Sequence, residues 1–165
     1  MSVTIPGSGQ AIIQIKQNVI TAAEALTAAN GTLREITSFR TSITPISVSS
    51  KILVNLHVNY SATGTTYKGM IRRDGSDISG AIGDTSGSRQ EMTFGMGFTG
   101  DGNQCDVASI MYLDSPNTTS EVQYQLWYNN DNTKQLYINR SETDQNNNVG
   151  GRYISTVTLM EVSGG

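Results

Sequence analysis

The chain has 165 residues, of which 15% are charged, and it carries a formal net charge of −3 with an isoelectric point near 5.0. This length suits one domain that buries a core of its own without disulfides. The acidic balance leaves no surplus of Lys and Arg to neutralise phosphates, which disfavours nucleic acid as a partner. The 17 glycines and the many short runs of β-favouring residues are typical of an all-β domain.

Residues 1–10 contain Pro6 and two glycines, so we expect a flexible arm or linker there, followed by a single domain over residues 11–165. No apolar run approaches the ~18 residues that span a bilayer, and we expect a soluble protein without membrane insertion. Cys105 is the only cysteine, so no disulfide forms within the chain.

The first predicted strand covers residues 11–19 and places Ile13, Ile15 and Val19 on one face. Residues 21–30 follow it and are rich in alanine, which locally favours helix. We therefore expect a long loop, or one or two helical turns, within an otherwise β-sheet domain.

The clearest strand pattern lies at residues 51–60, where apolar and polar residues alternate. One face is expected in the core, and the other is in water or shared with a partner. The core face consists of Ile52, Val54, Leu56, Val58 and Tyr60.

The other predicted strands are residues 33–39, 41–46, 66–73, 76–82, 88–98, 107–113, 121–128, 134–139 and 153–162. A turn at Asp74-Gly75 separates two of them, and the strand over 153–162 is expected to lie centrally in one sheet. About ten strands without a βαβ pattern predict an antiparallel β-sandwich of the jelly-roll type.

Residues that carry chemistry are sparse. His57 is the only histidine, and it falls on the polar side of its strand, as is typical of a surface or interface residue. The aspartates lie mostly in turns, where they hydrogen-bond the backbone. The loop 144–148 is rich in oxygen ligands, but it lacks the spaced acidic residues of a calcium loop. We predict no catalytic residues, no metal and no cofactor.

Several arginines lie near acidic residues in the sequence, which indicates either scattered surface charge or a buried ionic cluster between subunits. They are Arg72, Arg73, Arg89, Arg140 and Arg152.

The loops at 83–88, 98–106 and 128–133 carry polar and aromatic residues at strand ends, an arrangement that suits contact with a glycan or a protein. The predicted binding residues are Trp127, Tyr128, Asn129 and Asn130. The alternative is a core tryptophan beside an ordinary polar turn.

Some predicted strands have apolar residues on both faces. Examples are Ile12 beside Ile13, Ile110 beside Met111, and Trp127 between two apolar neighbours. Because one core does not require this much apolar surface, we expect a partner subunit to cover part of it and predict a homo-oligomer, a homotrimer in particular.

Seven short motifs occur in order between residues 11 and 162. They are ITP at 43–45, SSKILV at 49–54, RDG at 73–75, GDTSGSR at 83–89, YLDSPNTT at 112–119, YINRS at 137–141 and STVTLMEV at 155–162. This series resembles a module of virion proteins from marine bacteriophages that infect cyanobacteria and other ocean bacteria, often found at the C-terminus of tail-fibre proteins. The strand pattern is also similar to the trimeric jelly rolls of complement-head and tumour-necrosis-factor type.

The resemblance implies a non-enzymatic virion module, such as a tail-fibre tip, that binds a host surface glycan or protein through its loops. One alternative is a structural capsid-decoration or fibre-trimerisation domain. Another is a polysaccharide depolymerase, which would need two carboxyl groups facing each other across a groove.

Overall fold

The computed structural model describes residues 11–27, 29–62, 64–97, 99–130 and 133–164. They form eleven strands and one 3-10 turn, with no α-helix in these ranges. The expected arm at residues 1–10 lies outside them. The strands are β1 Ile12–Ile20, β2 Glu24–Leu26, β3 Arg34–Ile43, β4 Lys51–Ser61, β5 Tyr67–Arg73, β6 Ser76–Asp77, β7 Phe94–Met96, β8 Asp106–Asp114, β9 Val122–Asn129, β10 Leu136–Ile138 and β11 Ser155–Val162, and the 3-10 turn is Ser79–Ala81.

All strand pairs are antiparallel and make two sheets. The first sheet has the order β1-β11-β4-β8, and the short strands β10 and β2 extend it past the end of β11. The second sheet has the order β3-β9-β5, with β6 and β7 beside β5. Eight strands therefore form two four-stranded sheets, β1-β11-β4-β8 and β3-β9-β5-β7, which confirms the predicted jelly roll.

The expectation of helical turns within residues 21–30 is wrong for the part that the structure describes. Residues Glu24–Leu26 form β2 and pair with β10, with Leu26 opposite Leu136. Pairing with β2 satisfies the backbone N–H and C=O groups on the side of β10 that does not pair with β4. This tertiary contact outweighs the local helix preference of alanine.

Four other predicted strands differ from the observed ones. The strands predicted over 33–39 and 41–46 are one strand, β3, which ends at Ile43, and the strand predicted over 76–82 is reduced to β6 and the 3-10 turn. Among the described residues of 88–98, only Phe94–Met96 is a strand. Phe94 lies opposite Gly69, and its ring occupies the space that a side chain at Gly69 would need.

The predicted Asp74-Gly75 turn is present, with φ angles of 51° and 77°. Positive φ at both positions marks a type I′ hairpin turn, which fits the twist of the strands β5 and β6 that it joins.

The core of the sandwich lies between the two sheets. The five residues of β4 that were predicted to face the core are each at most 2% exposed. Val157 and Leu159 of β11 add to this core at 1% and 0% exposure. The first strand is oriented differently: Gln14 and Asn18 face inward, and Ile15 and Val19 face outward, 56% and 47% exposed.

Hydrogen bonds explain the inward orientation of these polar residues. The Asn18 amide donates to the backbone oxygen of Ser38 at 2.8 Å, and the Gln14 amide donates to that of Thr44 at 2.8 Å. Strand β1 is an edge strand next to β3, so its inner side chains reach the backbone of the other sheet and not the centre of the core.

A buried ion pair joins the two sheets. Asp114, at the end of β8, accepts hydrogen bonds from Arg73 of β5 at 2.5 Å and from the Tyr124 hydroxyl of β9 at 2.6 Å. Burial, followed by the hydrogen bond to Asp114, raises the pKa of Tyr124. Of the arginines considered above, Arg73 therefore contributes to the fold and pairs across the sandwich.

The carboxylate of Glu161 on β11 is fully buried and accepts hydrogen bonds from the backbone N–H of Ile46 at 2.7 Å and from the Gln14 amide at 2.6 Å. Burial alone would raise the pKa of Glu161, but its hydrogen bonds together lower it. The charged form is thus stabilised by donors, and these donors attach the loop 44–50 to β11.

We expect Glu161→Gln to lower the free energy of unfolding by about 2 kcal/mol at pH 7, because the amide keeps one acceptor oxygen and places an NH2 donor where the second carboxylate oxygen accepts a hydrogen bond. The folded-state pKa of Glu161 is depressed, so its contribution is complete above the unfolded pKa and is lost as the pH falls through the folded value. Urea unfolding between pH 7 and pH 3 should show the gap between wild type and variant narrowing below about pH 5.

The exposed Glu121 supplies a control, since Glu121→Gln should change stability little at any of these pH values. A gap between wild type and Glu161→Gln that stays constant from pH 7 to pH 3 would contradict this assignment.

Candidate functional site

The four predicted binding residues lie at the end of β9. Trp127 is half-buried on the outer face of the second sheet, where the guanidinium carbon of Arg72 lies 4.5 Å from the centroid of the indole ring. Tyr128 is 2% exposed and points into the core, and its hydroxyl donates to the backbone oxygen of Thr27 at 2.5 Å. Asn129 and Asn130 are both 0% exposed.

Asn130 fixes the turn that precedes β3. Its side-chain oxygen accepts from the backbone N–H groups of Ala29 at 2.9 Å and Asn30 at 3.0 Å, and its amide donates to the backbone oxygen of Lys134 at 3.1 Å. Asn30 has a φ of 46°, which asparagine tolerates better than most residues. The buried Asn130 therefore holds the backbones of the surrounding loops together through these hydrogen bonds.

Asn129 connects the same turn to the long loop between β6 and β7. Its amide donates to the Gln90 side chain at 2.8 Å and to the backbone oxygen of Gly31 at 3.2 Å. The Lys68 ammonium donates to the same Gln90 oxygen at 3.3 Å. Lys68 lies directly opposite Asn129 on β5, so the pairing of β5 with β9 brings these three side chains together.

Two depressions lie over these contacts, with volumes of about 460 Å³ and about 360 Å³, and both are lined by Lys68, Arg89 and Gln90. We call the pair the Arg89 groove. Its first part also includes Ser88 and Asn130, which belong to two of the predicted loops. The structure thus joins the loops at 83–88 and 128–133, as far as they are described. The second part is completed by Gly83, Asp84, Ser86, Glu91, Met92, Phe94 and Gly95.

Charge is unevenly distributed along the Arg89 groove. Neither Lys68 nor Arg89 has a carboxylate partner within salt-bridge distance among the described residues. Among the described residues, the Arg89 guanidinium donates only to Ser86, at 3.1 Å to its hydroxyl and at 3.3 Å to its backbone oxygen. Asp84 and Glu91 lie in the second part, where the carboxylate of Glu91 accepts from Thr85. The first part thus offers two cations to a ligand.

The side-chain oxygen of Asn129, which holds Gln90 of the groove through its amide, is buried and lacks a hydrogen-bond partner within the described part of the chain. The indole nitrogen of Trp127, two residues earlier on the outer face of β9, is also buried and without a partner among the described residues. An unpaired buried polar atom costs about 1–3 kcal/mol, so each of these atoms is a position that a ligand or water can complete.

The third predicted loop, 98–106, lies apart from the Arg89 groove. Its described residues line a separate depression of about 450 Å³ that includes Cys105. Burial raises the pKa of the Cys105 thiol, which keeps it in its less reactive protonated form.

The described residues contain no group of three or more His, Cys, Asp or Glu side chains that could hold a metal. His57 is exposed on the outer face of the first sheet, whereas the Arg89 groove belongs to the second. The carboxylate of Asp144, in the loop considered for calcium, pairs with Arg152 and, at 3.4 Å, with Arg140. No helix in the described ranges is long and apolar enough to cross a membrane.

Lys68 and Gln90 were not predicted as site residues, and Arg89 was noted only for its charge. Lys68 can be assigned to the site only because it lies opposite Asn129, and this position is known only once β5 is known to pair with β9. Turn sequences such as 128–133 usually expose their polar side chains, so the burial of Asn129 and Asn130 could not be read from residue type.

We expect Asn130→Ala to lower the free energy of unfolding by about 2 kcal/mol, because two backbone N–H groups lose their acceptor. Hydrogen exchange should accelerate at residues 29–31 more than in β4. Asn148→Ala, in an exposed loop, is the matched control and should leave both quantities unchanged. Equal stability of the two variants would show that Asn130 does not organise the groove.

No protein-family model and no curated protein matches the chain. Among solved structures, a structure of infectious bursal disease virus, Gx strain, has a TM-score of 0.42 and 13% identity and is matched over 100% of this chain and 42% of that one. A mutant VP2 protein of infectious bursal disease virus in T=1 particles has a TM-score of 0.40 and 10% identity, over 92% of this chain and 39% of that one. This chain therefore spans about two fifths of each of those chains, and a likeness at these values says nothing about its function.

Proposed function

We propose that this chain is a non-enzymatic virion module, a tail-fibre tip or a similar part, that binds a host surface through the Arg89 groove and works as a homotrimer. The observation that carries the binding role is the groove itself, in which the exposed Gln90 is held by the buried Asn129 and stands next to the exposed Arg89. The sequence resemblance to marine phage virion modules supports the virion role.

The chemistry of the groove favours an acidic polysaccharide. Lys68 and Arg89 are available to a carboxylate, and the amide of Gln90 and the hydroxyl of Ser88 suit sugar hydroxyls. Rigid strand ends and buried asparagines hold these groups in place, which lowers the entropy lost on binding. In this proposal Asn129 and Asn130 act mainly as supports, and Trp127 lies beside the contact surface.

The alternative of a purely structural capsid-decoration or fibre-assembly domain is favoured by a different observation, the exposed apolar side chains on the outer face of the first sheet. The two functions are compatible in one module, since the groove and that face belong to different sheets.

A glycan array of uronic-acid-containing and neutral bacterial polysaccharides tests the binding role. We expect wild type to bind acidic members, and Arg89→Ala and Lys68→Ala each to weaken binding about 10- to 100-fold, since one charge-assisted hydrogen bond contributes about 1.5–3 kcal/mol. Lys16→Ala removes an exposed lysine from β1 and is the control.

Binding that is equally weakened in all three variants, or unchanged in all three, would place the contact elsewhere. Release of reducing ends during incubation with the bound polysaccharide would contradict the non-enzymatic assignment and favour a depolymerase.

A further inference from the structure

The outer face of the first sheet carries a continuous apolar row across all four of its long strands. The strand register aligns Ile15 of β1 with Met160 of β11, Leu53 of β4 and Leu113 of β8. Ile15 and Leu113 are 56% and 43% exposed, and they lie on the two edge strands. The row therefore spans the full width of the sheet.

The next two rows towards the other end of the strands are mixed in polarity. One consists of Gln17, Thr158, Asn55 and Met111, which is 63% exposed, and the other consists of Val19, Thr156, His57 and Ser109. The twelve positions of the three rows hold no Asp, Glu, Lys or Arg, and His57 is their single titratable residue. We call these three rows the β1-β8 face.

Six of the twelve side chains on the β1-β8 face are apolar, which is unusual for a face in contact with water. An antiparallel sheet with one solvated side normally alternates between apolar residues inside and polar residues outside. Here β1 turns Gln14 and Asn18 inward and Ile15 and Val19 outward. Absence of charge from the centre of a surface patch is characteristic of protein interfaces.

We infer that the β1-β8 face is buried against a second copy of this chain. Four strands spaced about 4.8 Å apart and about eight residues long give the outer face of the sheet a footprint of about 19 Å by 26 Å, and the three rows cover about two thirds of it. The whole outer face measures about 500 Å² before side-chain relief is added, which approaches the ~800 Å² per partner that stable interfaces bury. Two sheet faces can pack on each other, and each copy of the chain supplies one such face.

A sugar ligand suits the row from Ile15 to Leu113 poorly, because this row offers no side-chain hydrogen-bond donor or acceptor stronger than the Met160 sulfur. The inference rests on the homo-oligomer in the proposed function and identifies the surface that forms it. It does not depend on the Arg89 groove, which lies on the other sheet.

Sedimentation velocity of the full chain, from nanomolar to micromolar concentration, tests the inference. Wild type is expected at a multiple of 17.7 kDa. Ile15→Lys and Met111→Lys should each raise the dissociation concentration about 100-fold, because a charge is buried without a partner. Ile46→Lys and Val149→Lys change equally exposed apolar residues in loops away from the face, and should leave assembly as in wild type.

The possible results distinguish the existence of the homo-oligomer from the choice of the β1-β8 face as its interface. A wild type that remains at 17.7 kDa overturns both the homo-oligomer and this inference, while glycan binding at the groove is judged by its own assay. An oligomeric wild type whose face variants dissociate no more readily than the loop variants overturns this inference alone.

Thiol labelling gives a second measurement that does not require the oligomer to be disrupted. In a Cys105→Ser background, Met111→Cys and Val149→Cys place single thiols at positions that are 63% and 57% exposed in the isolated chain. In the oligomer, a maleimide should react at least about 10-fold more slowly with the thiol at 111 than with the thiol at 149. Equal rates in an oligomeric sample would contradict the inference.

Discussion

The position of β11 between β1 and β4 is the constraint on which the other features of this molecule depend. Backbone pairing on both sides fixes its register, so Leu159 must face the core and Met160 must face outward. The same register places Glu161 under the loop 44–50. At the other end of the strand, Ser155 donates to Asn139 at 2.7 Å, and Asn139 in turn holds the end of β1 through the backbone oxygen of Ile20. A one-residue shift of β11 would exchange core and surface at every one of these positions.

Buried polar residues carry much of the organisation of this β-sandwich. Asp114 connects the two sheets, Glu161 holds one loop, and Asn129 and Asn130 hold the turns beneath the Arg89 groove. Most hydrogen-bond partners of these side chains are distant in the sequence. The hydrogen bonds can therefore form only when the whole topology is in place. Such residues make the native arrangement specific, because an alternative packing would leave them unpaired.

Much of the fold could be predicted from alternation and turn chemistry. The core face of β4 and the Asp74-Gly75 turn follow from local sequence, because each depends on neighbouring residues only. The central position of β11 was expected because an unpaired apolar strand would promote aggregation, but its partners β1 and β4 are known only from the structure. The orientation of β1 could not be predicted in this way. Alternation shows that Ile15 and Val19 share a face, but the side that faces the core is decided by contacts with β3.

The candidate site was only partly predictable, for the same reason. The loops at 83–88 and 128–133 were identified, and the structure brings their described residues to one groove. Lys68 and Gln90 join that groove through strand pairing and through Asn129, which are relations between residues about 20 to 60 positions apart.

The separation between the exposed lining of the Arg89 groove and its buried supports has an evolutionary consequence. Arg89 and Gln90 are exposed and contribute little to the core, whereas Asn129 and Asn130 are fixed by contacts beneath them. Substitutions in the lining can therefore change the charge and shape of the groove without disturbing the sandwich, in the way that hypervariable loops diversify on an unchanging scaffold. A few codons in the loop between β6 and β7 are enough to remodel the groove while the fold stays the same.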